Sequence, residues 1–115
     1  MTKPTKIAVD ATAIISFLMG GKALSVFDSP HVDSFITTEF NIEEVQYMIP
    51  KLSEAYQFNK DHLFETLDKL KRTKLKVFGR SDYRAQWNRA YEIMSQIDEK
   101  DTDLFALALT FRCPI

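Results

Sequence analysis

Apolar residues recur along this chain in two kinds of pattern, and the two kinds alternate. Residues 7–9 and 34–38 are short runs built around apolar residues, and residues 75–78 alternate apolar with polar side chains. Such lengths and patterns are typical of β-strands, the third near a sheet edge. Longer segments between them repeat apolar residues every three or four positions, as a helix does. Strands that alternate with helices predict an α/β fold with a central parallel sheet.

Helical spacing follows each predicted strand. The segments are 13–19 with a further turn at 23–27, 42–52, 63–70, 83–97 and 104–109. Gly20 and the glycine after it should end the first helix. Pro50 should either bend the second helix or start a new one. Asn59 or Asp61 can cap the third, and the last segment is apolar all round, as a buried helix is.

The length of 115 residues predicts one domain, residues 1–115. The net charge of −1, from 15 basic and 16 acidic residues, excludes a protein that holds nucleic acid by bulk charge. A nucleic-acid contact would need a local patch, and basic residues are dense between positions 69 and 89. A solvated helix face explains most of them. The candidate contacts are Lys69, Arg72 and Arg84.

Cysteine usage and the first residues bear on the compartment. Cys113 is the only cysteine, so an internal disulfide is excluded and a reducing cytoplasm fits. Its expected role is that of a small buried hydrophobe. No signal peptide or membrane span is apparent, and we expect a cytoplasmic protein without membrane contact.

Carboxylates follow the predicted strands or precede the last helix. Asp10 ends the first strand, Glu44 follows the second, and Asp98 and Asp101 come just before the final apolar segment. In open parallel sheets, ligands bind beyond the carboxyl ends of the strands. Carboxylates that meet there repel one another unless a hard cation such as Mg²⁺ or Mn²⁺ holds them. The first hypothesis is therefore a metal-dependent site.

Each acid also has a purely structural interpretation. Asp10 can cap the first helix, and Glu43 and Glu44 can complement the dipole of the second. Of these two, Glu44 is the better inward candidate because it adjoins Val45 on the apolar face. Asp101 can be an N-cap of the last helix.

Three further residues are assigned no chemistry. Asp103 is favoured as a structural charge in the first turn of the last helix. His31 and His62 fall in a loop and at a helix start, away from the acids, and receive no catalytic role.

Three blocks of this sequence resemble the motifs of PIN domains: residues 7–15 (IAVDATAII), 35–45 (FITTEFNIEEV) and 97–109 (IDEKDTDLFALAL). The resemblance implies a three-layer α/β/α fold in which clustered acids bind Mg²⁺ or Mn²⁺ and cut RNA. Asp10, Glu44 and Asp101 match the first three acids of the family and become the implied catalytic and metal-binding residues. Asp98 matches a further acid of one branch. Thr12 matches a small polar position that supports the first acid and contacts substrate.

The resemblance implies a metal-dependent endoribonuclease, either a stand-alone enzyme or a VapC-type toxin held by an antitoxin protein. The family pattern continues past Ile115 into strands that carry a fourth acid, so we expect those strands to be absent and the activity to be impaired. An unpaired edge on the first strand would then favour a homodimer or strand exchange.

Two alternatives remain. The first is a catalytically inactive PIN-like module that binds RNA or protein. The second, a phosphoryl-transfer receiver domain, ranks low because receivers usually carry a pair of acids after the first strand and this chain has only Asp10 there.

Overall fold

Three parallel strands form the sheet of this protein. The computed structural model describes residues 5–20 and 22–115, except for the side chains of residues 22–24. Strands β1 (Lys6–Ala8), β2 (Ser34–Thr38) and β3 (Leu75–Phe78) pair in the order β1-β2-β3, both pairs parallel. The predicted parallel sheet is confirmed, and β3 lies at an edge, as its alternating pattern indicated.

The helices account for most of the described chain. They are α1 (Ala11–Met19), α2 (Lys22–Phe27), α3 (Glu39–Tyr56), α4 (Lys60–Arg72), α5 (Arg80–Tyr83), α6 (Trp87–Met94) and α7 (Thr102–Phe111), with 3-10 turns at Arg84–Gln86 and Glu99–Asp101. No described helix combines the length and the apolar character that crossing a bilayer requires.

The sheet divides the apolar side chains into two cores because neighbouring strand residues point to opposite faces. Phe35 of β2 packs with α1 to α4, where its ring centroid lies 5.2 Å from those of Phe17 and Phe27. Ile36, the next residue, packs on the other face with Tyr83, Ala90 and α7. The molecule is thus a three-layer α/β/α structure, as the resemblance implied.

Two details of α3 and α4 follow from their capping and breaker residues. The α3 helix continues through Pro50. Proline removes one backbone donor, but Pro50 is exposed, so the carbonyl group four residues earlier can turn to water. Asn59 caps α4, because its Oδ1 accepts the amide of His62 at 2.9 Å.

The single helix predicted over residues 83–97 is wrong. That segment contains the end of α5, a 3-10 turn and α6, which ends at Met94. A 3-10 turn has a three-residue period, so apolar spacing alone does not distinguish it from an α-helix. Ile97 lies beyond α6 and is 73% exposed.

The unpaired edge expected for the first strand is also wrong in part. The amide of Ala8 donates to the carbonyl of Pro114 at 2.8 Å, so the C-terminal residues run beside β1. Because this amide is paired within the chain, it is not a free edge group that would favour the predicted homodimer. Cys113 is half-buried there, and burial raises the pKa of its thiol, which fits an unreactive side chain.

Gly20 ends α1 in a backbone conformation that only glycine adopts readily, with φ +84° and ψ −155°. A Cβ atom there would meet nothing within 4 Å, so a substitution changes only the backbone energy. We expect Gly20→Ala to lower the free energy of unfolding by about 1–3 kcal/mol, measured by urea unfolding. Ser16→Ala, at an exposed position of the same helix, is the control and should change it by less than about 0.5 kcal/mol. Equal effects would contradict this interpretation of Gly20.

Candidate active site

Asp10 is fixed at the carboxyl end of β1 by its neighbours. The amide of Val9 donates to the carbonyl of Ile36 at 2.9 Å, and the buried hydroxyl of Thr37 donates to the carbonyl of Val9 at 2.8 Å. The half-buried carboxylate of Asp10 then accepts the amide of Ala13 through Oδ1 at 2.9 Å. The N-cap interpretation is confirmed. It uses one of the two carboxylate oxygens and is compatible with a ligand at the other.

Asp98 and Asp101 precede α7. Asp98 accepts the amide of Lys100 through Oδ1 at 3.1 Å, which leads the chain into the 3-10 turn. Asp101 stands at the N-cap position of α7, but its side chain makes no capping hydrogen bond.

The charges of two other acids affect the pKa of Asp101. Its pKa is raised, first by partial burial of the carboxyl group, then by the charge of Asp98 and then by that of Asp10. The charges of Asp98 and Asp10, from two distant parts of the sequence, are therefore close enough to Asp101 to act on its carboxyl group. A bound cation would relieve this repulsion on Asp101.

Glu44 lies on α3, which follows β2. Thr38 caps α3 by accepting the amide of Asn41 at 3.0 Å, and the helix buries Asn41, Ile42, Val45 and Ile49. Glu44 is exposed, at the flank of that buried face. The inward orientation expected from Val45 is thus not what the structure has.

The resemblance implied a magnesium or manganese ion, and such an ion requires oxygen ligands close to one another. Within residues 5–20 and 22–115, no three His, Cys, Asp or Glu side chains are grouped so that they could hold a metal ion. Mg²⁺, however, is commonly bound by one or two carboxylates together with waters and substrate phosphates. Asp101, with the charges of Asp10 and Asp98 acting on it, supplies hard oxygen donors that fit that mode.

The family model of the PIN domain matches residues 8–115 of this chain. The chain belongs to the PIN-domain family. No curated protein matches it significantly. PIN domains are in general nucleases, and the match covers every acid considered above.

The basic substrate contacts expected in this PIN domain line two different cavities. Lys69 and Arg72 of α4 line an open cavity of about 270 Å³, which His62 also lines. Arg84 lines a different cavity, between α5 and α6. Thr12 is exposed on α1, and the hydrogen bond of the Asp10 carboxylate goes to the amide of Ala13.

A buried polar group on α7 was only partly anticipated. Asp103 is 6% exposed, and its Oδ1 accepts hydrogen bonds from the hydroxyl of Tyr83 at 2.6 Å and from Nε of Arg80 at 3.1 Å. Its structural role agrees with expectation, but its partners lie 20 and 23 residues away in the sequence and leave no local signal. Burial raises the pKa of Tyr83 well above the ordinary range, so this phenol remains a donor.

Arg84 was predicted as a substrate contact, but its grouping with Arg80 and Trp87 was not predicted. The guanidinium carbon of Arg80 lies 4.7 Å from the ring centroid of Trp87. Residues 80, 84, 87 and 88 follow the spacing of one helical face, which was the signal available in the sequence.

Proposed function

We propose that this PIN domain is a metal-dependent endoribonuclease that hydrolyses RNA phosphodiester bonds. The supporting observation is the raised pKa of Asp101, to which both Asp98 and Asp10 contribute. The charges of acids at the end of β1 and at the start of α7 thus act on the same carboxyl group. This group lies beyond the carboxyl end of a strand, where ligands of parallel sheets bind.

Asp10, Asp98 and Asp101 would hold Mg²⁺ or Mn²⁺, and Glu44 would join from the flank of α3. Such an ion, when bound, polarises the phosphoryl group and neutralises developing charge. The protein's own contribution is orientation. Asp10 is fixed by the cap of α1, and Asp98 by the amide of Lys100. A preordered set of acids loses little freedom when cation and substrate arrive.

The substrate would be RNA, with Arg84, Lys69 and Arg72 as phosphate contacts and Thr12 beside the first acid. The narrower proposal is a toxin that an antitoxin protein restrains in the cytoplasm, as the family resemblance suggests. A homodimer is part of the same proposal, and gel filtration with light scattering tests it.

Metal dependence is the direct test of the proposed activity. We expect the purified protein to cut a labelled single-stranded RNA in the presence of Mn²⁺ or Mg²⁺, and to stop when EDTA is added, because EDTA removes the cation that polarises the phosphoryl group and activates water. Readdition of Mn²⁺ should restore cleavage. Cleavage that continues in EDTA would contradict the proposal.

A second candidate function is an inactive PIN module that binds RNA or protein. Two observations favour it: Glu44 is exposed, and the described part of the chain groups no three potential metal ligands. This candidate predicts RNA or protein association without cleavage, with or without Mn²⁺.

A further inference from the structure

An open cavity of about 400 Å³ lies where α5 meets α6, and basic and aromatic side chains line it. We call it the Arg80–Trp87 cavity; its lining residues are Arg80, Arg84, Trp87 and Asn88. Guanidinium groups contact phosphates and stack on bases, indole rings stack on bases, and amides can bond to base edges. The lining thus combines the groups that a single nucleotide requires.

Arg80 is held in place before any ligand arrives. Its Nε donates to the buried Asp103, which Tyr83 also holds, and its guanidinium group lies over the ring of Trp87. The hydrogen bond to Asp103 occupies Nε, which leaves the terminal amino groups for a ligand. Because the side chain is already ordered, binding costs less conformational entropy than it would at a free surface arginine.

The cavity and the acids are linked through the first turn of α7. Asp103, which positions Arg80, follows Asp101 by two residues at the start of this helix. The helix that begins at the acids therefore also carries the carboxylate that positions Arg80, one of the cations of the cavity. With a net charge of −1 for the whole chain, such local cations must supply the attraction.

We propose that the Arg80–Trp87 cavity binds one unstacked nucleotide of a single-stranded RNA. The RNA itself rests on the proposed function; the requirement for an unstacked nucleotide comes from the cavity. Both faces of a base inside a duplex are covered by its neighbours, so its ring is not available to Trp87 or Arg80. The cavity thereby selects single strands or loops.

Trp87 is the only tryptophan of the chain, so its fluorescence reports on the cavity alone. The wild-type protein is titrated in EDTA, which prevents metal-dependent cleavage, with unlabelled oligoadenylate and, separately, with dye-labelled oligoadenylate for anisotropy. We expect the tryptophan emission to fall in step with the anisotropy change, because a base that stacks on the guanidinium group of Arg80 comes close to the indole ring beneath it and quenches it. Annealing the oligoadenylate to oligouridylate should weaken binding about tenfold or more, on the scale of one stacked base.

Matched arginine variants test whether RNA binding depends on the cavity or only on the positive charge of the protein. Arg84→Ala removes a lining cation and should weaken oligoadenylate binding about tenfold, which is about 1.4 kcal/mol and within the range of one stacked base. Arg89→Ala removes the same charge from an exposed position of α6 outside the lining, and should change binding less than about twofold. Arg80→Lys keeps the charge beside Asp103 but loses the planar group, and should reduce the quenching.

Several results would overturn the inference: no binding of oligoadenylate, saturation of the anisotropy without a change in tryptophan emission, equal losses in Arg84→Ala and Arg89→Ala, or equal binding of the duplex. Cleavage in Mn²⁺ distinguishes this failure from that of the proposed function. Cleavage without tryptophan quenching would contradict nucleotide binding in the cavity and support the nuclease. Quenching that is selective for single strands, without cleavage, would contradict the nuclease and support nucleotide binding in the cavity.

Discussion

Asp10→Asn should reduce Mn²⁺-dependent RNA cleavage by about 100-fold or more while leaving the fold intact. The variant removes one negative charge from the acids that β1 and α7 bring together. Several kcal/mol of charge stabilisation depend on a well-held cation, and each 1.4 kcal/mol corresponds to tenfold in rate. Single-turnover cleavage of a labelled RNA, with protein in excess, measures the effect.

The choice of asparagine separates chemistry from stability. Oδ1 of Asp10 caps α1 by accepting the amide of Ala13 at 2.9 Å, and asparagine caps helices about as well as aspartate. The free energy of unfolding of Asp10→Asn should therefore stay within about 0.5 kcal/mol of wild type. Asp10→Ala loses the cap as well, and should be about 1 kcal/mol less stable.

Asp68→Asn is the matched control for charge. Asp68 is exposed on α4, and its contact with Lys71 is a surface ion pair at 3.8 Å, which contributes little. It should cleave RNA at the wild-type rate. Wild-type cleavage by Asp10→Asn, or an equal loss in both variants, would contradict the assignment of Asp10.

The strands and the position of Asp10 could be predicted because both depend on short-range patterns. The second and third strands were predicted with their observed limits, and the first within one residue, since each is a short strand-like run that a helical pattern follows. Once the sheet is known to be parallel, the residue after β1 has to lie at its carboxyl edge. Local sequence thus fixes where an acid stands, though not which other acids it meets.

Long-range pairs could not be predicted in this way. The hydrogen bond from Arg80 to Asp103 joins residues 23 positions apart, and neither residue shows its partner in its own neighbourhood. The amide of Ala8 and the carbonyl of Pro114 are a further example, across almost the whole chain. Glu44 shows the limit for helices. It lies six residues after the Thr38 cap and beside the apolar face, and whether such a residue is exposed or buried depends on what packs against it.

The largest effect on stability is expected at Asp103, whose carboxylate is the buried acceptor for Tyr83 and Arg80. Asp103→Ala should lower the free energy of unfolding by about 2–4 kcal/mol, since it removes a hydrogen bond to a charged group and leaves the phenol of Tyr83 buried without its acceptor. Arg80 contributes less to this loss because its side chain is 67% exposed and can turn to water. Urea unfolding measures the change, with the exposed Asp68→Ala as the control.

A double-mutant cycle identifies the orphaned phenol as the cause. Tyr83→Phe removes the hydroxyl while Asp103 keeps Arg80, and should lower the free energy of unfolding by about 1–2 kcal/mol. When both changes are combined, no donor is left unpaired in the core, so the double variant should be about 1–2 kcal/mol more stable than the sum of the single losses predicts. Additive losses would mean that the hydroxyl of Tyr83 finds another partner, and that Asp103 stabilises α5 against α7 through packing and Arg80 alone.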